Sequence, residues 1–393
     1  MSFSAWNKSK LGDICDITSS KRIYASEYCE TGIPFFRGKE IIEKFRDQAV
    51  STELFITCER YVELNNKFGS PTFGDILLTS VGTLGVPYFV LNETFYFKDG
   101  NLTWFRNFRE CNSKFIYLWL QSPQSQNQIL GKSIGSTQKA LTIDILKKFD
   151  INLPPLNEQK TIMSILSSID EKIKINNRIN DNLAAMAQTI FQERYNPFGD
   201  LPLGWRIGKL SELCSYNPQR IAVKSLSLST YISTENMLSN KAGFVTAAGL
   251  PSVTQTTKFE NGYILVSNIR PYFKKIVYCD FSGGCSTDVL CFKPNVSMLS
   301  PLLYCILYSD RFFDCMMAGS KGTKMPRGDK QQIMDFPVVI PAEEVFEEAA
   351  QLISPILSNI SQVAKENLRL TELRDTLLPK LMSGEIDVSE ITN

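Results

Sequence analysis

The stretch SNIRPYFKK, Ser267 to Lys275, sets Asn268, Arg270, Lys274 and Lys275 around a Tyr–Phe pair, the most concentrated basic–aromatic cluster in the chain. A second basic turn, GSKGTKMPRGDK from Gly319 to Lys330, carries Lys321, Thr323, Lys324 and Arg327. Such residues suit a nucleic acid. Arg and Lys donate in pairs to guanine, Asn and Gln pair with adenine, and cations and hydroxyls contact phosphate. Comparable turns are TSSKRIY (Lys21, Arg22), FRGK (Arg37, Lys39), TSVGTLG (Thr83), KSIGSTQK (Lys132, Ser136, Thr137, Gln138, Lys139) and NPQR (Gln219, Arg220). Any one of them is also what a solvated turn looks like, so the sets carry the weight.

Other chemistries lack their parts. With no histidine in 393 residues, the usual general base and the Ser-His-Asp and Cys-His arrangements are excluded, though carboxylate or lysine catalysis is not. Gly131-Lys132-Ser133 resembles the end of a phosphate-binding loop, but Gln126 stands where its first glycine belongs. No F-x-G-x-G loop for S-adenosylmethionine is present, and Asn196-Pro197-Phe198 is one proline short of N-P-P-F. Asp329-Lys330 has no partner carboxylates at nuclease spacing. Cys279, Cys285 and Cys291 are spaced by six, which suits buried strand positions better than zinc. The ten cysteines without a C-x-x-C pair, and an N-terminus with no apolar core, lead us to expect a reduced, cytoplasmic protein. No apolar run is long enough for a membrane span. A net charge of +1 gives no broad attraction for a polyanion, so any such contacts must be local.

The elements that must position these turns occur twice. WNKSKLGDIC at Trp6 is repeated as WRIGKLSELC at Trp205. FGDILLTSVGTLGVPYFV (Phe73 to Val90) parallels ENGYILVSNIRPYFKKIVYC (Glu260 to Cys279), and Gly135 to Pro155 parallels Gly322 to Ala342, with Phe149 against Phe336. Each copy reads as short strands, turns and one aromatic-rich helix, Ser113 to Ile129 or Met298 to Met316.

A long amphipathic stretch follows each copy. The first, from an N-cap at Asn157 to Tyr195, has a seam of Ile162, Ile165, Ile169, Lys172, Asn176, Ile179, Leu183, Met186 and Ile190. A helix of about 39 residues spans on the order of 58 Å. The second has a seam of Phe346, Ala349, Ile353, Ile356, Ile360, Val363, Asn367, Leu370, Arg374, Leu377 and Leu381, with Pro355 expected to kink it, Pro379 to fray its last turn and Gly384 to end it. Tandem duplication predicts that the two pair antiparallel about a pseudo-twofold. Asn176 and Asn367 then meet near the crossing and fix its register, unless each is merely solvated at an imperfect seam.

This order, with PPLNEQ opening the first helix, AQTIF (Ala187 to Phe191) near its end, LPLGW opening the second copy and LTELRDTLLPKLMSGEI closing the chain, resembles the specificity subunits of type I restriction-modification systems over essentially its whole length. FFRGKEI (Phe35 to Ile41) and GDILLTSVGTLG (Gly74 to Gly85) also resemble the family's recognition domains. The second helix departs from the pattern, with AEEVFEEA where the first has NEQKTI.

The resemblance implies an α+β fold. Two similar mixed α/β target recognition domains (1–155 and 197–341) are joined by two long antiparallel coiled-coil helices (156–196, and 342–393 with the tail). It implies a non-catalytic chain that reads a bipartite, interrupted site in double-stranded DNA. Two methyltransferase subunits would bind around the helices and carry S-adenosylmethionine, with restriction subunits where the system has them; this chain itself would bind no cofactor and no metal. The turns quoted at the outset become the expected DNA contacts, with Lys321, Lys324 and Arg327 on phosphate. A specificity subunit serving a methyltransferase alone, a non-DNA coiled-coil scaffold and a self-contained enzyme are the alternatives; the last would need the missing motifs.

Overall fold

A computed structural model gives the fold and describes residues 6–46, 50–133, 139–196, 200–320, 322 and 325–391. The chain divides into two units, Met1–Asp170 with Glu372–Asn393, and Glu171–Thr371. Both boundaries fall inside the long helices, so each unit owns one globular domain and a part of each helix.

The two globular domains share a topology. In the first, an antiparallel sheet runs Asp16–Thr18, Leu102–Arg106, Ile76–Thr79, Pro87–Phe89; in the second the order is Cys214–Tyr216, Val289–Pro294, Ile264–Ser267, Ile276–Tyr278. The duplicated Trp motifs become two-stranded antiparallel sheets that bring the two ends of each domain together: Asn7–Lys10 pairs with Asp150–Leu153, and Arg206–Lys209 with Pro337–Ile340. At the end of each strand pair the same backbone bond forms, Leu11 N to Phe149 O at 3.0 Å and Leu210 N to Phe336 O at 2.9 Å. The copies differ in the smaller sheet, three-stranded in the first domain and four-stranded in the second.

Each domain's expected single helix is two. Ser113–Gln121 stops at Ser122 and Ser300–Tyr308 stops at Ser309; both serines adopt extended backbone and cap a new helix, Pro123–Lys132 or Asp310–Ala318. Their hydroxyls accept from Ser125 N and Phe312 N, and Pro123 has no N–H to continue the first helix. The packed helix faces close the main cores, where Phe115, Trp119, Leu303 and Phe312 are fully or almost fully buried. Cys279, Cys285 and Cys291 sit in one apolar cluster behind the second sheet.

The first long helix runs Leu156–Ile190 and ends in a π-helical turn, Phe191–Tyr195. It begins one residue before the expected cap, with Gln159 N bonded to Pro155 O. Its buried line passes through Ile162, Leu166, Ile169, Asn176, Ala184, Ala187 and Phe191, leaving Ile179 and Met186 exposed. The expected seam therefore holds at Ile162, Ile169 and Asn176 and slips by one residue beyond Asn176, to Ala184, Ala187 and Phe191 in place of Leu183, Met186 and Ile190. Small Ala184 and Ala187 are what the helix buries, and Ala187 lies close enough to Cys305 for its carbonyl to accept from the thiol.

The second long helix, Glu344–Ser383, is continuous. Pro355 lies on its exposed side, where the missing N–H costs one bond without breaking the rod, and the helix runs past Pro379 to stop at left-handed Gly384. Within the second unit the helices pair antiparallel: Lys172 meets Glu366 and Arg194 meets Glu348. Within the first unit, Asp170 meets Arg374, and Ile162 and Leu166 share a core with Leu381. None of the described helices is long and apolar enough to cross a membrane.

Candidate nucleic-acid interface

In each domain the loop after the second-longest run of the main sheet is tied to a distant turn by the same three backbone contacts. In the first domain, Ser80 N donates to Asn101 O (2.8 Å), Val81 forms an isolated β-bridge with Ala140, and Leu141 N donates to Ser80 O (2.9 Å). In the second, Asn268 N donates to Asp288 O (2.9 Å), Ile269 bridges to Arg327, and Gly328 N donates to Asn268 O (3.4 Å). A short helix follows each bridge, capped by Thr142 or Asp329. SVGTLG and the segment Lys139 to Leu141 thus lie edge to edge, as do SNIRPYF and MPRG. Loops held by backbone bonds on a rigid sheet are suited to recognition because their side chains remain free to vary.

The first loop turns through left-handed Gly82 and Gly85 and presents exposed Thr83. A side chain at Gly85 would strike Ile129 at 2.9 Å, so the loop's close seat on that helix requires glycine. Lys139 is exposed beside the bridge. Arg37 caps the helix Gly38–Phe45 and pairs with buried Glu40 at 2.7 Å, while Lys39 stands 3.9 Å from Glu43. Lys21 lies over the Phe68 ring, and Arg22 donates to Asp99 at 2.9 Å. Lys132 packs by Phe149 and donates to Gln128. Ser136, Thr137 and Gln138 fall outside the described residues, as do Lys321, Thr323 and Lys324.

The second loop is more strained. Arg270 and Lys274 both have left-handed backbone, with φ of 50° and 49°, flanking the 3-10 turn Pro271–Phe273. Non-glycine residues in that region cost of order 1 kcal/mol or more each and concentrate at functional sites. Asn240 and Lys241 strap the turn by donating to the carbonyls of Phe273 and Lys274. Asn268 Oδ1 and Arg270 Nε are buried without hydrogen-bond partners, while Tyr272 is 48% exposed.

The cations here have different duties. Lys274 and Lys241 converge on Asp310 at 2.8 and 2.9 Å, and their hydrogen bonds lower its carboxyl pKa to about 2. Lys275 donates to Thr234 O at 2.7 Å, and burial pulls its pKa down. Arg327 is held by Asp288. Gln219 and Arg220 belong instead to the small sheet, where Gln219 O accepts from Lys258 N and Arg220 donates to Thr257. Asp288, Asp310 and Lys241 escaped the sequence reading because nothing local marks them; only the sheet order brings them to the loops.

At the helix crossing in the second unit, Asn176 Nδ2 donates to Asn367 Oδ1 at 2.9 Å and to Glu366 at 2.8 Å, and Asn367 Nδ2 donates to Asn177 at 2.8 Å. Asn176 is 1% exposed, and its Oδ1 has no partner.

A family model described as the type I restriction modification DNA specificity domain matches residues 4–185. A putative type I restriction enzyme specificity subunit of Haemophilus influenzae is 32% identical over 199 residues, an alignment covering 50% of this chain and about half (47%) of that protein. The MjaIX specificity subunit of a type I restriction enzyme of Methanocaldococcus jannaschii is 23% identical over 425 residues, covering 98% of this chain and 94% of that one. Among solved structures, the S subunit of a type I restriction-modification system from M. genitalium superposes with a TM-score of 0.56 at 19% identity, over 97% of this chain and 96% of that one. At that identity the likeness is one of fold.

Proposed function

From the premise that the chain belongs to the type I restriction-modification specificity subunits, we propose that it reads a bipartite, interrupted site in duplex DNA through two non-identical loop clusters, one per domain. The observation that carries this reading is the repeated backbone bridge, Val81 to Ala140 and Ile269 to Arg327, bearing different side chains in the two copies. A common frame with divergent loops gives two half-sites of different sequence. The contacts proposed are Lys21, Arg22, Arg37, Lys39, Thr83, Lys132, Ser136, Thr137, Gln138 and Lys139 in the first module, and Gln219, Arg220, Asn268, Arg270, Lys274, Lys275, Lys321, Thr323, Lys324 and Arg327 in the second.

The modules correspond to 1–155 and 197–341, and the helical segments 156–196 and 342–393 set the number of unread base pairs between the half-sites, with Asn176 and Asn367 as the register lock. Methyltransferase subunits supply S-adenosylmethionine and the adenine chemistry. Exposed Ile175, Ile179 and Met186 on the first long helix fit an apolar contact with such a partner, and restriction subunits join where the system has them. The chain contributes binding, not catalysis. Sequence selection from randomised duplexes by the full chain, purified with its partner subunits, tests this. Two unlike half-sites at one fixed spacing are expected; binding without sequence preference would refute the reading.

A further inference from the structure

We infer that Arg327 reads a guanine in the second half-site, with Asp288 as its positioning residue, and that the first domain has no counterpart. This deepens the proposed DNA reading and rests on it. Arg327 is fixed twice. Its backbone lies in the bridge to Ile269, and its side chain is held by one carboxylate oxygen, Asp288 Oδ1, which accepts from Nε at 3.3 Å and Nη2 at 3.2 Å. Asp288 is itself fixed, because its carbonyl accepts from Asn268 N in the same bridge and its own N–H donates to Ser286 Oγ. Gly328 lets the strands approach so closely: a side chain there would meet Asn268 Oδ1 at 3.1 Å and Ile333 at 3.0 Å.

The geometry separates a base from a phosphate. With the Nε–Nη2 edge occupied by Asp288, the guanidinium keeps its outer fork, Nη1 with the second Nη2 hydrogen. Those two parallel donors match N7 and O6 on the major-groove edge of guanine. A phosphate brought to the same fork would also face the Asp288 carboxylate, and like charges repel; a neutral base edge meets no such opposition. Arg327 is half exposed, with a side chain 51% accessible, so the fork reaches solvent. Lys321 and Lys324 lie outside the described residues and remain the phosphate candidates offered by the sequence.

The first domain carries Ala140 at the bridge position of Arg327, and Asn101 at that of Asp288. The backbone contacts are the same, but neither the fork nor its holder is present. The two half-sites therefore differ at this point of the shared frame.

The test uses the full chain purified with its partner subunits, and binding to a panel in which each base pair of the selected site is permuted. Wild type is expected to prefer guanine at one position of one half-site by roughly 10- to 100-fold. Arg327→Ala and Arg327→Lys should both abolish that preference, because lysine keeps the charge but lacks the fork, while the other half-site stays intact and reports that the protein is folded. Asp288→Asn should weaken the preference at the same position only. If Arg327→Lys preserves the preference while Arg327→Ala weakens all sequences equally, the contact is to phosphate and the inference falls. It falls too if the variants bind as wild type does, which would make the pair a surface ion pair. In both cases wild type still selects a site and the DNA reading stands; wild type without any selected sequence overturns both.

Discussion

Asn176 is the one polar side chain fully enclosed at the crossing of the long helices, and replacing it by leucine tests what it is for. Its amide nitrogen makes two hydrogen bonds, to Glu366 and Asn367. Each contributes about 0.5–1.5 kcal/mol net, and both partners are half-buried residues that water can reach. Against this stands Oδ1, buried without a donor, at a cost of about 1–3 kcal/mol. A buried leucine of similar size adds about 1.5–3 kcal/mol of apolar transfer. The balance favours Asn176→Leu by about 1–3 kcal/mol, which at roughly 2–4 °C per kcal/mol for a unit of this size raises the melting temperature by several degrees. Asn176→Ala loses the bonds without the packing and should melt slightly below wild type.

The same leucine should cost specificity. A leucine pair at 176 and 367 tolerates a one-turn slip that the amide pair forbids, so Asn176→Leu with Asn367→Leu should accept DNA with more than one spacer length. Calorimetric melting and binding to duplexes whose spacer is shortened or lengthened by one base pair give the two readouts. A leucine variant that melts more than about 1 kcal/mol below wild type refutes the energetic argument. A stabilised double variant that still accepts one spacer refutes the register role.

Three further outcomes follow from the described geometry. Asp310→Asn releases Lys241 and Lys274, so the dependence of DNA affinity on salt should steepen by roughly one to two units in a log–log plot. The Asp310 pKa falls from 3.8 to about 2 on folding. Its ion pairs therefore stabilise fully above about pH 4 and vanish as pH falls through 2; with Asp310 66% exposed, less than about 1 kcal/mol is involved. Acid titration of stability should show the Asn variant equal to wild type near pH 2 and slightly weaker at neutral pH. Thiol labelling of the native chain should modify exposed Cys58 first, and reach Cys15, Cys214, Cys279, Cys285, Cys291 and Cys305 only after unfolding, since all six are buried; fast labelling of those six would contradict the packing of both cores.

The duplication was legible because it preserved residues that the frame needs everywhere: Trp6 and Trp205 beside the paired strands, Phe149 and Phe336 buried where those strands end. The long helices were legible from their apolar period, but the phase of the first beyond Asn176 was not. Ile179 and Met186 outweigh alanines in any hydrophobic pattern, yet Ala184 and Ala187 are buried, and the helix Ser300–Tyr308 comes close enough at Ala187 for Cys305 to donate to its carbonyl. Apolar character says which residues prefer burial; it does not say how near a partner approaches. The paired helices in each domain were read as one because a serine can continue a helix or cap a new one, and only the extended backbone at Ser122 and Ser309 decides. The clusters on the loops were found by residue type, but the assignment of each cation to a counter-charge depends on strands far apart in sequence.

That last point bears on how such a chain acquires new specificity. The contacts that hold the bridge together are peptide groups: Ser80 and Asn268 donate through their backbone nitrogens, and the acceptors are the carbonyls of Asn101 and Asp288. Exchange of side chains at Asn101, Asp288, Ala140 and Arg327, which are partly or fully exposed, for any residue but proline leaves every one of these bonds available, whereas Ser80 and Asn268 are buried. Surface substitutions of this kind shift stability by less than about 0.5 kcal/mol, whereas a gained or lost bidentate base contact changes discrimination by about 1–3 kcal/mol. Recognition can therefore drift across the full useful range while the fold scarcely registers it. The divergence at 140 against 327 is what such drift leaves behind, while Trp6 with Trp205 and Phe149 with Phe336, kept in both copies, mark where it is not tolerated.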